Sequence, residues 1–249
     1  MFNFFADETN KINSRYEIKG NDYNHIKNVL RMSVGDTCLV SCGGQSDLCR
    51  IDAFGDNVVF LEVLEENYTD TELPVKVYLF QGLPKGDKME YIIQKCVELG
   101  VYGIVPVQMK HCVVKLDDKK AKAKQTRWQS ISESAAKQSK RNIIPEIMEV
   151  CSFGSALEFA KGLDLIMVPY ENKEGMEATI EALSCLKNAA SVGIFIGPEG
   201  GFDKGEIEKV VESGAKIVSL GQRILRTETA AVTAVGMCML HIEMTKEKN

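Results

Sequence analysis

The chain has 249 residues, of which 45% are hydrophobic and 26% charged, with a formal net charge of -5 at pH 7. This length allows one large or two modest domains, and the hydrophobic fraction is typical of a globular core, so we predict a folded, soluble protein. No stretch approaches the roughly 18 unbroken apolar residues of a membrane span, and the first residues lack the basic and apolar regions of a secretion signal. We therefore expect a cytoplasmic location.

The eight cysteines contain no C-x-x-C pair, and a chain of this size does not depend on disulfides. Cys38, Cys42 and Cys49 lie close in sequence to His25, but their spacing matches no common zinc pattern. We therefore predict reduced thiols and no metal site.

Residues 1–72 differ from the rest of the chain in texture and in charge. They carry 6 basic and 13 acidic side chains, and they contain short extended runs such as TCLVSC, LCRIDAF and NVVFLEVLEE. These runs predict a small antiparallel sheet or barrel, with a helix at NDYNHIKNVLRM. Polar residues and a proline in NYTDTELP predict a boundary, which gives domains of residues 1–72 and 73–249.

From Pro74 onward, strands and helices alternate. Each of the apolar runs VKVYLFQGL, VYGIVPVQ, DLIMVPYE, SVGIFIGPEGGF and AKIVSLG precedes a segment of helical character. In the first of these segments the apolar residues recur at helical spacing, at Met89, Ile92, Ile93, Cys96 and Leu99. The alternation predicts an α/β fold, with a mostly parallel sheet covered by helices on both faces.

Residues 110–141 form a basic segment, with 10 Lys or Arg against 3 Asp or Glu. Clustered basic side chains supply the salt-sensitive part of nucleic-acid binding, but a solvated lysine-rich helix face has the same composition. Trp128 favours RNA, as do Arg127 and Arg141, because a guanidinium group can pair with phosphate in a bidentate manner.

Ligands of open parallel sheets bind beyond the carboxyl ends of the strands, where three loops stand out: QGLPKGDKME, IGPEGGF and LGQRILRTETA. In the second loop, Gly197, Gly200 and Gly201 permit positive φ and let the backbone approach a flat ligand. A tight strand-to-helix turn, capped by Asp203 with Glu206 three residues later, explains the same glycines. The spacing matches neither G-x-G-x-x-G nor the P-loop pattern.

The third loop places Arg223 and Arg226 beside Glu228, immediately before a helix of small residues. Burial of charged groups at a strand end costs free energy, which favours a functional role for these residues. A surface ion pair would explain the charges, but it leaves the run RTETAAVTA unexplained. We therefore predict a functional site at this loop.

Five segments, in this order, resemble the RsmE family of ribosomal RNA small subunit methyltransferases: HIKNVLRMSVGD, KGDKMEYIIQKCVELGV, RWQSISESAAKQSKR, IGPEGGF and LGQRILRTETAA. The resemblance covers nearly the whole chain. It implies a PUA-like barrel that helps to hold RNA in residues 1–72, and a SPOUT methyltransferase domain with a trefoil knot in residues 73–249. It also implies a homodimer and S-adenosylmethionine as the methyl donor. The implied acceptor is N3 of one uridine of 16S ribosomal RNA in the small subunit, uridine 1498 in the family.

The resemblance also implies a cofactor site at the strand ends, where backbone groups bind the adenine and apolar side chains form the walls. The residues matched to cofactor binding are Gln81, Gly82, Leu83, Tyr170, Ile196, Gly197, Pro198, Glu199, Gly200, Gly201, Leu220, Gly221, Ile224, Leu225, Arg226 and Thr227. For Tyr170, a position at the edge of the core is an equal alternative. The residues expected to contact RNA are Arg31, Lys85, Lys88, Arg127, Lys137, Arg141 and Arg223.

Methylation of uracil N3 requires loss of the N3 proton and stabilisation of the resulting anion. Arg226 suits the second task, because its donors are fixed and it stays charged, and we predict that it stabilises the anion or positions the uracil. Glu228 is a candidate general base or the residue that orients Arg226. The basic helix of one subunit is expected to guide RNA to the cofactor of the other.

The chain departs from the family pattern at Asn3, at residues 109–111 and at Lys137 and Gln138, which weakens the inference about RNA contacts more than that about the cofactor. Two alternatives stay open: a SPOUT RNA methyltransferase with another base or a ribose as its target, and a non-catalytic RNA-binding assembly factor. The intact GPEGG and RTETA motifs argue against the last, because a binding module does not need a cofactor pocket.

Overall fold

The computed structural model describes residues 1–170 and 175–245, which form two compact units. Unit 1 consists of Met1–Glu72 together with Ala136–Ile144, and unit 2 consists of Leu73–Ala135 together with the chain from Pro145 onward. No pattern in the sequence indicated that the segment 136–144 belongs with the N-terminal residues.

Unit 1 is built on one sheet. Its described strands are β1 (Asn3–Phe5), β2 (Lys11–Ile12), β3 (Arg15–Lys19), β4 (Thr37–Cys42), β5 (Gln45–Phe54) and β6 (Val58–Glu65). They follow the order β1-β4-β5-β6-β3-β2. β1 pairs with β4 in parallel, whereas the other described ladders are antiparallel, as predicted. β1 and β2 stand at the two ends of this order, and closure of the sheet into a barrel remains a prediction.

The helix predicted over NDYNHIKNVLRM is short and irregular. Helix α1 covers Gly20–Asn24 and continues as a wider helical turn over His25–Val29. Tyr23 and Ile26 are buried in the core of unit 1, so the segment packs against the sheet. Arg31, two residues after this turn, has a φ of 54° and an exposed side chain.

The segment 136–144 is held in unit 1 through Arg141. The Arg141 guanidinium is 3% exposed and pairs with the Glu72 carboxylate, with Nε 2.8 Å from Oε1. The Arg141 carbonyl accepts hydrogen bonds from Asn3 Nδ2 at 3.0 Å and from Ser41 Oγ at 3.3 Å. The prediction that Arg141 contacts RNA is therefore wrong, because its guanidinium is buried and already paired with a carboxylate.

Unit 2 alternates strands and helices. Its described strands are β7 (Lys76–Gly82), β8 (Gly103–Gln108), β9 (Glu146–Ile147), β10 (Cys151–Ser152), β11 (Leu165–Pro169), β12 (Ser191–Ile196) and β13 (Lys216–Val218). Its helices are α2 (Lys88–Glu98), α3 (Asp118–Ser139), α4 (Phe153–Ala160), α5 (Glu177–Cys185), α6 (Lys204–Glu212) and α7 (Thr227–Thr245). The last residues of α3 belong to unit 1.

Every described ladder of unit 2 is parallel, as the alternation predicted. The strand order is β10-β8-β7-β12-β11-β13, and β9 pairs with β8. Because the strands run in one direction, the segments that follow β7, β11, β12 and β13 all leave the sheet at the same edge.

The helices of unit 2 follow from their sequences. In α2 the residues at helical spacing are buried on one face: Met89, Ile92, Ile93, Cys96 and Val97. Helix α6 begins with the predicted capping box, in which Asp203 Oδ1 accepts from the Gly205 N–H at 3.0 Å and Glu206 Oε2 accepts from the Asp203 N–H at 2.9 Å. These contacts satisfy N–H groups that the helix itself leaves without partners.

Among the described helices, none is long and apolar enough to cross a membrane. All eight cysteines are free thiols, and burial raises the pKa of Cys38 to about 12, which makes it an unreactive core residue. Within residues 1–170 and 175–245, no group of three or more His, Cys, Asp or Glu side chains is placed to hold a metal ion.

Gly82, the last residue of β7, has no room for a side chain. A Cβ there would lie 2.7 Å from Pro198 N and Cδ and 2.9 Å from Met109 Sδ. We expect Gly82→Ala to lower the free energy of unfolding in urea by about 1–3 kcal/mol, because backbone atoms must shift. Gly154→Ala in α4 is the matched control, since the nearest atom lies 3.8 Å from its Cβ, and no loss is expected. Equal losses in the two variants would contradict this account.

Candidate active site

The exits of four strands meet at one edge of the unit 2 sheet. β7 and β12 pair in register up to Gln81 opposite Ile196. β11 and β13 pair up to Pro169 opposite Val218, and the Tyr170 N–H donates to the Val218 carbonyl at 3.1 Å. The loops that follow these strands contain the residues predicted to bind the cofactor, so the topology brings them to a common edge.

Thr227, the first residue of α7, connects three segments at this edge. Its hydroxyl donates to the Gly197 carbonyl at 2.7 Å and accepts from Gln81 Nε2 at 2.9 Å. Gln81 is fully buried, and its Nε2 also donates to the Gly82 carbonyl at 2.8 Å. Gln81 Oε1 is buried and has no hydrogen-bond partner among the described residues. Buried polar groups thus fix the start of α7 to the exits of β7 and β12.

Close approaches of the backbone explain the glycines of the loop Gly197–Gly201. A Cβ on Gly197 would lie 3.2 Å from the Gly201 carbonyl carbon, and one on Gly200 would lie 2.9 Å from His111 Cβ. Gly201 has a φ of 69°, a conformation that other residues rarely adopt. The turn itself therefore requires part of this glycine content.

A cavity of about 580 Å³ opens at the exits of β11 and β13, within the range of about 300–1,000 Å³ for small-molecule sites. It is lined by Pro169, Tyr170, Ser219, Leu220, Gly221, Gln222, Arg223, Ile224, Leu225 and Ala230. Tyr170, Leu220, Gly221, Ile224 and Leu225 are among the residues predicted to bind the cofactor. The other predicted cofactor residues lie elsewhere at the edge: Gln81, Gly82, Leu83, Ile196, Gly197, Pro198, Glu199, Gly200, Gly201, Arg226 and Thr227.

A threonine that the sequence did not reveal fixes the cavity wall. Thr179 in α5 is fully buried, and its hydroxyl accepts from the Ser219 N–H at 2.8 Å and donates to the Ser219 carbonyl at 2.9 Å. Gly221 follows with a φ of 101°, and its N–H donates to Ser219 Oγ at 3.2 Å. The contact joins residues 40 positions apart, and no local motif around Thr179 indicates it.

Arg226 and Glu228 both lie at the start of α7, but they are not paired with each other. Arg226 is exposed, and its side chain makes no hydrogen bond or ion pair with the residues that the structure describes. Glu228 Oε2 lies 3.3 Å from Lys88 Nζ. This oxygen is buried and accepts no hydrogen bond from described residues, so the contact is an ion pair without an aligned hydrogen bond. The structure therefore gives Glu228 a lysine as its partner, rather than Arg226.

Lys88 has a second partner in the glycine-rich loop. Its Nζ donates to Glu199 Oε1 at 2.9 Å, and the Lys85 N–H donates to the same oxygen at 3.1 Å. The bond with Glu199 is the main cause that raises the pKa of Lys88. Burial raises the pKa of Glu199, but the bonds from Lys88 and Lys85 outweigh it and hold this pKa below its usual range. The pairing therefore stabilises the fold above the usual pKa of a glutamate, and this contribution is lost as the pH falls through the lowered value.

Lys110 and His111 contact the start of α6 and the Gly197–Gly201 loop. Lys110 Nζ lies 2.8 Å from Asp203 Oδ2, and the Lys110 N–H donates to Glu206 Oε1 at 2.9 Å. The bond from Lys110 lowers the pKa of Asp203. His111 Nδ1 lies 3.1 Å from the Gly200 carbonyl. Lys110 and His111 thus have structural contacts at the loop and at the start of α6.

The predicted RNA contacts differ in their surroundings. Three of them are exposed and form no ion pair within the described chain: Arg31, Lys85 and Arg223. Arg127, although exposed, is paired with Glu90 at 2.7 Å, and Lys137 is paired with Asp22 at 2.7 Å. Trp128 is only 4% exposed, so it packs in the core and does not present its ring to a base.

Two known domain families match this chain and identify the class of protein to which it belongs. An RNA methyltransferase domain family matches residues 71–239, and an RNA methyltransferase PUA domain family matches residues 18–46. Unit 2, with its parallel sheet and edge cavity, is therefore an RNA methyltransferase domain.

Individual similar proteins identify the family within this class of RNA methyltransferases. The ribosomal RNA small subunit methyltransferase E of Bacillus subtilis is 41% identical over 236 residues, which cover 93% of this chain and 92% of that protein. The structure of the Neisseria gonorrhoeae enzyme of the same name, bound to S-adenosyl methionine, is similar with a TM-score of 0.81 and 31% identity, over 95% of this chain and 96% of that chain. A Legionella pneumophila structure in complex with the bound cofactor SAM has a TM-score of 0.82 and 29% identity, over 96% and 97% of the two chains.

The chain belongs to the ribosomal RNA small subunit methyltransferase E family. The resemblance that the sequence motifs indicated is confirmed.

We expect the hydroxyl of Thr227 to be required for the geometry of this edge. Thr227→Val keeps the shape but leaves the Gly197 carbonyl without its donor, so the free energy of unfolding in urea should fall by about 1–3 kcal/mol. Thr227→Ser keeps the hydroxyl and serves as the control, with a smaller loss. Equal losses for valine and serine would show that the methyl group of Thr227, and not its hydroxyl, matters.

Proposed function

We propose that this chain transfers a methyl group from S-adenosylmethionine to N3 of one uridine of 16S ribosomal RNA in the small subunit. The observation that carries the proposal is the common sheet edge, where the cavity, the Gly197–Gly201 loop and the start of α7 meet in a chain of this family. The names of the relatives support the RNA substrate, and the bound ligands of two similar structures support the cofactor.

The residues at the edge fit this cofactor. The cavity offers apolar walls from Leu220 and Ile224 and a backbone ordered by Thr179, which suits a flat base read by main-chain groups. Gln81 Oε1 adds a buried acceptor without a partner in the described chain. When bound there, S-adenosylmethionine supplies an electrophilic methyl group carried on a sulfonium.

We assign Arg226 and Glu228 to the two tasks that methylation of uracil N3 requires. Arg226 follows Leu225 of the cavity wall and keeps an exposed guanidinium, which can stabilise the negative charge that spreads over the uracil carbonyl oxygens. The carboxylate of Glu228, whose Oε2 accepts no hydrogen bond from described residues, is the proposed acceptor of the N3 proton. The electron pair left on N3 would then form the bond to the methyl carbon, while the carbon–sulfur bond breaks and its electron pair stays on the sulfur, which leaves as a neutral thioether.

RNA binding is proposed for both units on separate grounds. Unit 1 contains the segment matched to the PUA domain and the exposed Arg31. In unit 2, Lys85 follows the exit of β7 and Arg223 lines the cavity, and both side chains are exposed. The first turns of α3 expose further lysines: Lys119, Lys120 and Lys122. These side chains offer the charge that RNA phosphates require.

The resemblance further supports a SPOUT domain with a trefoil knot, a barrel in unit 1, a homodimer and a cytoplasmic location. Helix α7 supports the dimer, because it exposes apolar residues at helical spacing. Leu240 and Met244 are 54% and 75% exposed, one turn apart on the helix, and such a stripe fits a second copy of the chain.

The proposal is tested by methyl transfer from labelled S-adenosylmethionine to purified 30S subunits and to bare 16S RNA, both from a strain without its own enzyme. Nucleoside analysis should then show N3-methyluridine. Label on another base or on a ribose would replace the proposed target. Cofactor binding without label in either RNA would point to a different RNA, and no cofactor binding would point to an assembly factor.

Arg226→Ala should lower kcat on the order of 10²–10³-fold, as expected when a donor to a developing anion is removed. The dissociation constant for S-adenosylmethionine, measured by calorimetry, should change little, because the Arg226 side chain does not line the cavity. Full methyl transfer by Arg226→Ala would refute this role while leaving the proposed reaction in place.

A further inference from the structure

Lys88 lies where three segments of unit 2 come together. It is the first residue of α2, which follows the exit of β7. Its Nζ lies 2.9 Å from Glu199 Oε1, in the loop after β12, and 3.3 Å from Glu228 Oε2, at the start of α7. One ammonium group therefore contacts both segments that carry the family motifs GPEGG and RTETA.

We propose that Lys88 is a positioning residue for methyl transfer, which holds Glu199 and Glu228 in place, and that it does not serve as an RNA phosphate contact. This inference rests on the proposed function. It replaces the role that the sequence predicted for Lys88, and it gives Glu199 a role through its side chain.

The surroundings of Lys88 argue against a free phosphate contact. Its side chain is 28% exposed, and the side chains of Glu199 and Glu228 are 26% and 18% exposed. A phosphate that took this ammonium would leave both partly buried carboxylates without a cation. Lys85 contrasts with it, because its side chain is exposed and unpaired in the described chain and only its N–H contacts Glu199.

The contact with Glu228 connects Lys88 to the proposed acceptor of the N3 proton. Glu228 Oε2 is buried and accepts no hydrogen bond from described residues, so the ammonium of Lys88 offsets the charge of this carboxylate. Glu228 also lines an open cavity of about 610 Å³ together with Lys88, Tyr91 and Gln94. A base that enters this cavity meets a carboxylate whose position Lys88 has already fixed.

The contact with Glu199 connects Lys88 to the loop where the cofactor is proposed to bind. Glu199 lies between Pro198, which packs on Gly82, and Gly200, which packs on His111. Glu199 Oε1 accepts from Lys88 Nζ and from the Lys85 N–H, so the loop is tied to the start of α2 at its exposed side. Loss of the ammonium would loosen the loop where the cofactor is proposed to bind.

The test compares three lysine variants by titration calorimetry with S-adenosylmethionine and by methyl transfer to 30S subunits. Lys88→Met should raise the cofactor dissociation constant about 10-fold and lower kcat on the order of 10²-fold, as expected for misplaced reacting groups. Lys88→Arg keeps a cation and should stay within about 3-fold of the wild type. Lys95→Met is the matched control on the same helix, because Lys95 pairs with Glu98 at 2.8 Å, and it should change neither value.

RNA binding separates positioning from a phosphate contact. If Lys88 positions the two carboxylates, Lys88→Met should leave the affinity for 16S RNA and its salt dependence unchanged. If Lys88 contacts a phosphate, the slope of log K against log salt should fall by about 0.7–0.9, with unchanged cofactor affinity. The second result would overturn the proposal.

A double-mutant cycle identifies the partner through which Lys88 acts. Glu199→Gln should raise the cofactor dissociation constant as Lys88→Met does, and the double variant should be no worse than either single variant. Effects that multiply would contradict the proposal. Glu199→Gln also carries the test alone if Lys88→Met does not fold. Because cofactor binding needs no RNA, the two failures are distinguishable: a failed methyl-transfer assay in the wild type would count against the proposed function, whereas unchanged cofactor affinity in Lys88→Met would count against this inference.

Discussion

The parallel pairing of β7 with β12 is the constraint on which the candidate site depends. It places Gln81 opposite Ile196, so two irregular loops start at the same level of the sheet. The hydroxyl of Thr227 then joins the two exits to α7, which carries the charged residues of the site. Without this register, the motifs GPEGG and RTETA would be two separate turns, each explained by its local geometry.

The edge combines rigid and open parts. Buried groups hold the start of α7, and Thr179 holds the turn after β13. In contrast, Ile224 is 87% exposed, and Arg226 has no partner in the described chain. A site that binds a small cofactor and a large RNA needs both properties, because the cofactor is read by an ordered backbone while the RNA must reach side chains that are not yet engaged.

Local pattern predicted the elements that carry their own periodicity, such as α2, with Ile92 and Ile93 on its buried face, and the parallel sheet of unit 2. It did not predict β9, β10 and α4, which are too short for a period to show. It placed Arg141 on the surface, because a guanidinium buried by a partner 69 residues away looks like any other arginine in a basic run. The Lys88 contacts with Glu199 and Glu228 span more than 100 residues, and only the folded sheet edge creates them.

Residues 136–144 complete unit 1, which affects how the chain folds during its synthesis and how its units can be exchanged by recombination. Asn3 and its partner Arg141 are 138 residues apart. The N-terminal unit, although its synthesis starts first, therefore cannot complete its folding until more than half of the chain has been translated. Strands and helices of unit 2 emerge in between and can begin to fold before unit 1 is complete. For the same reason, no single break in the chain separates the two units. Recombination at any single site would divide unit 1, unit 2 or both, so the two units are expected to be inherited together.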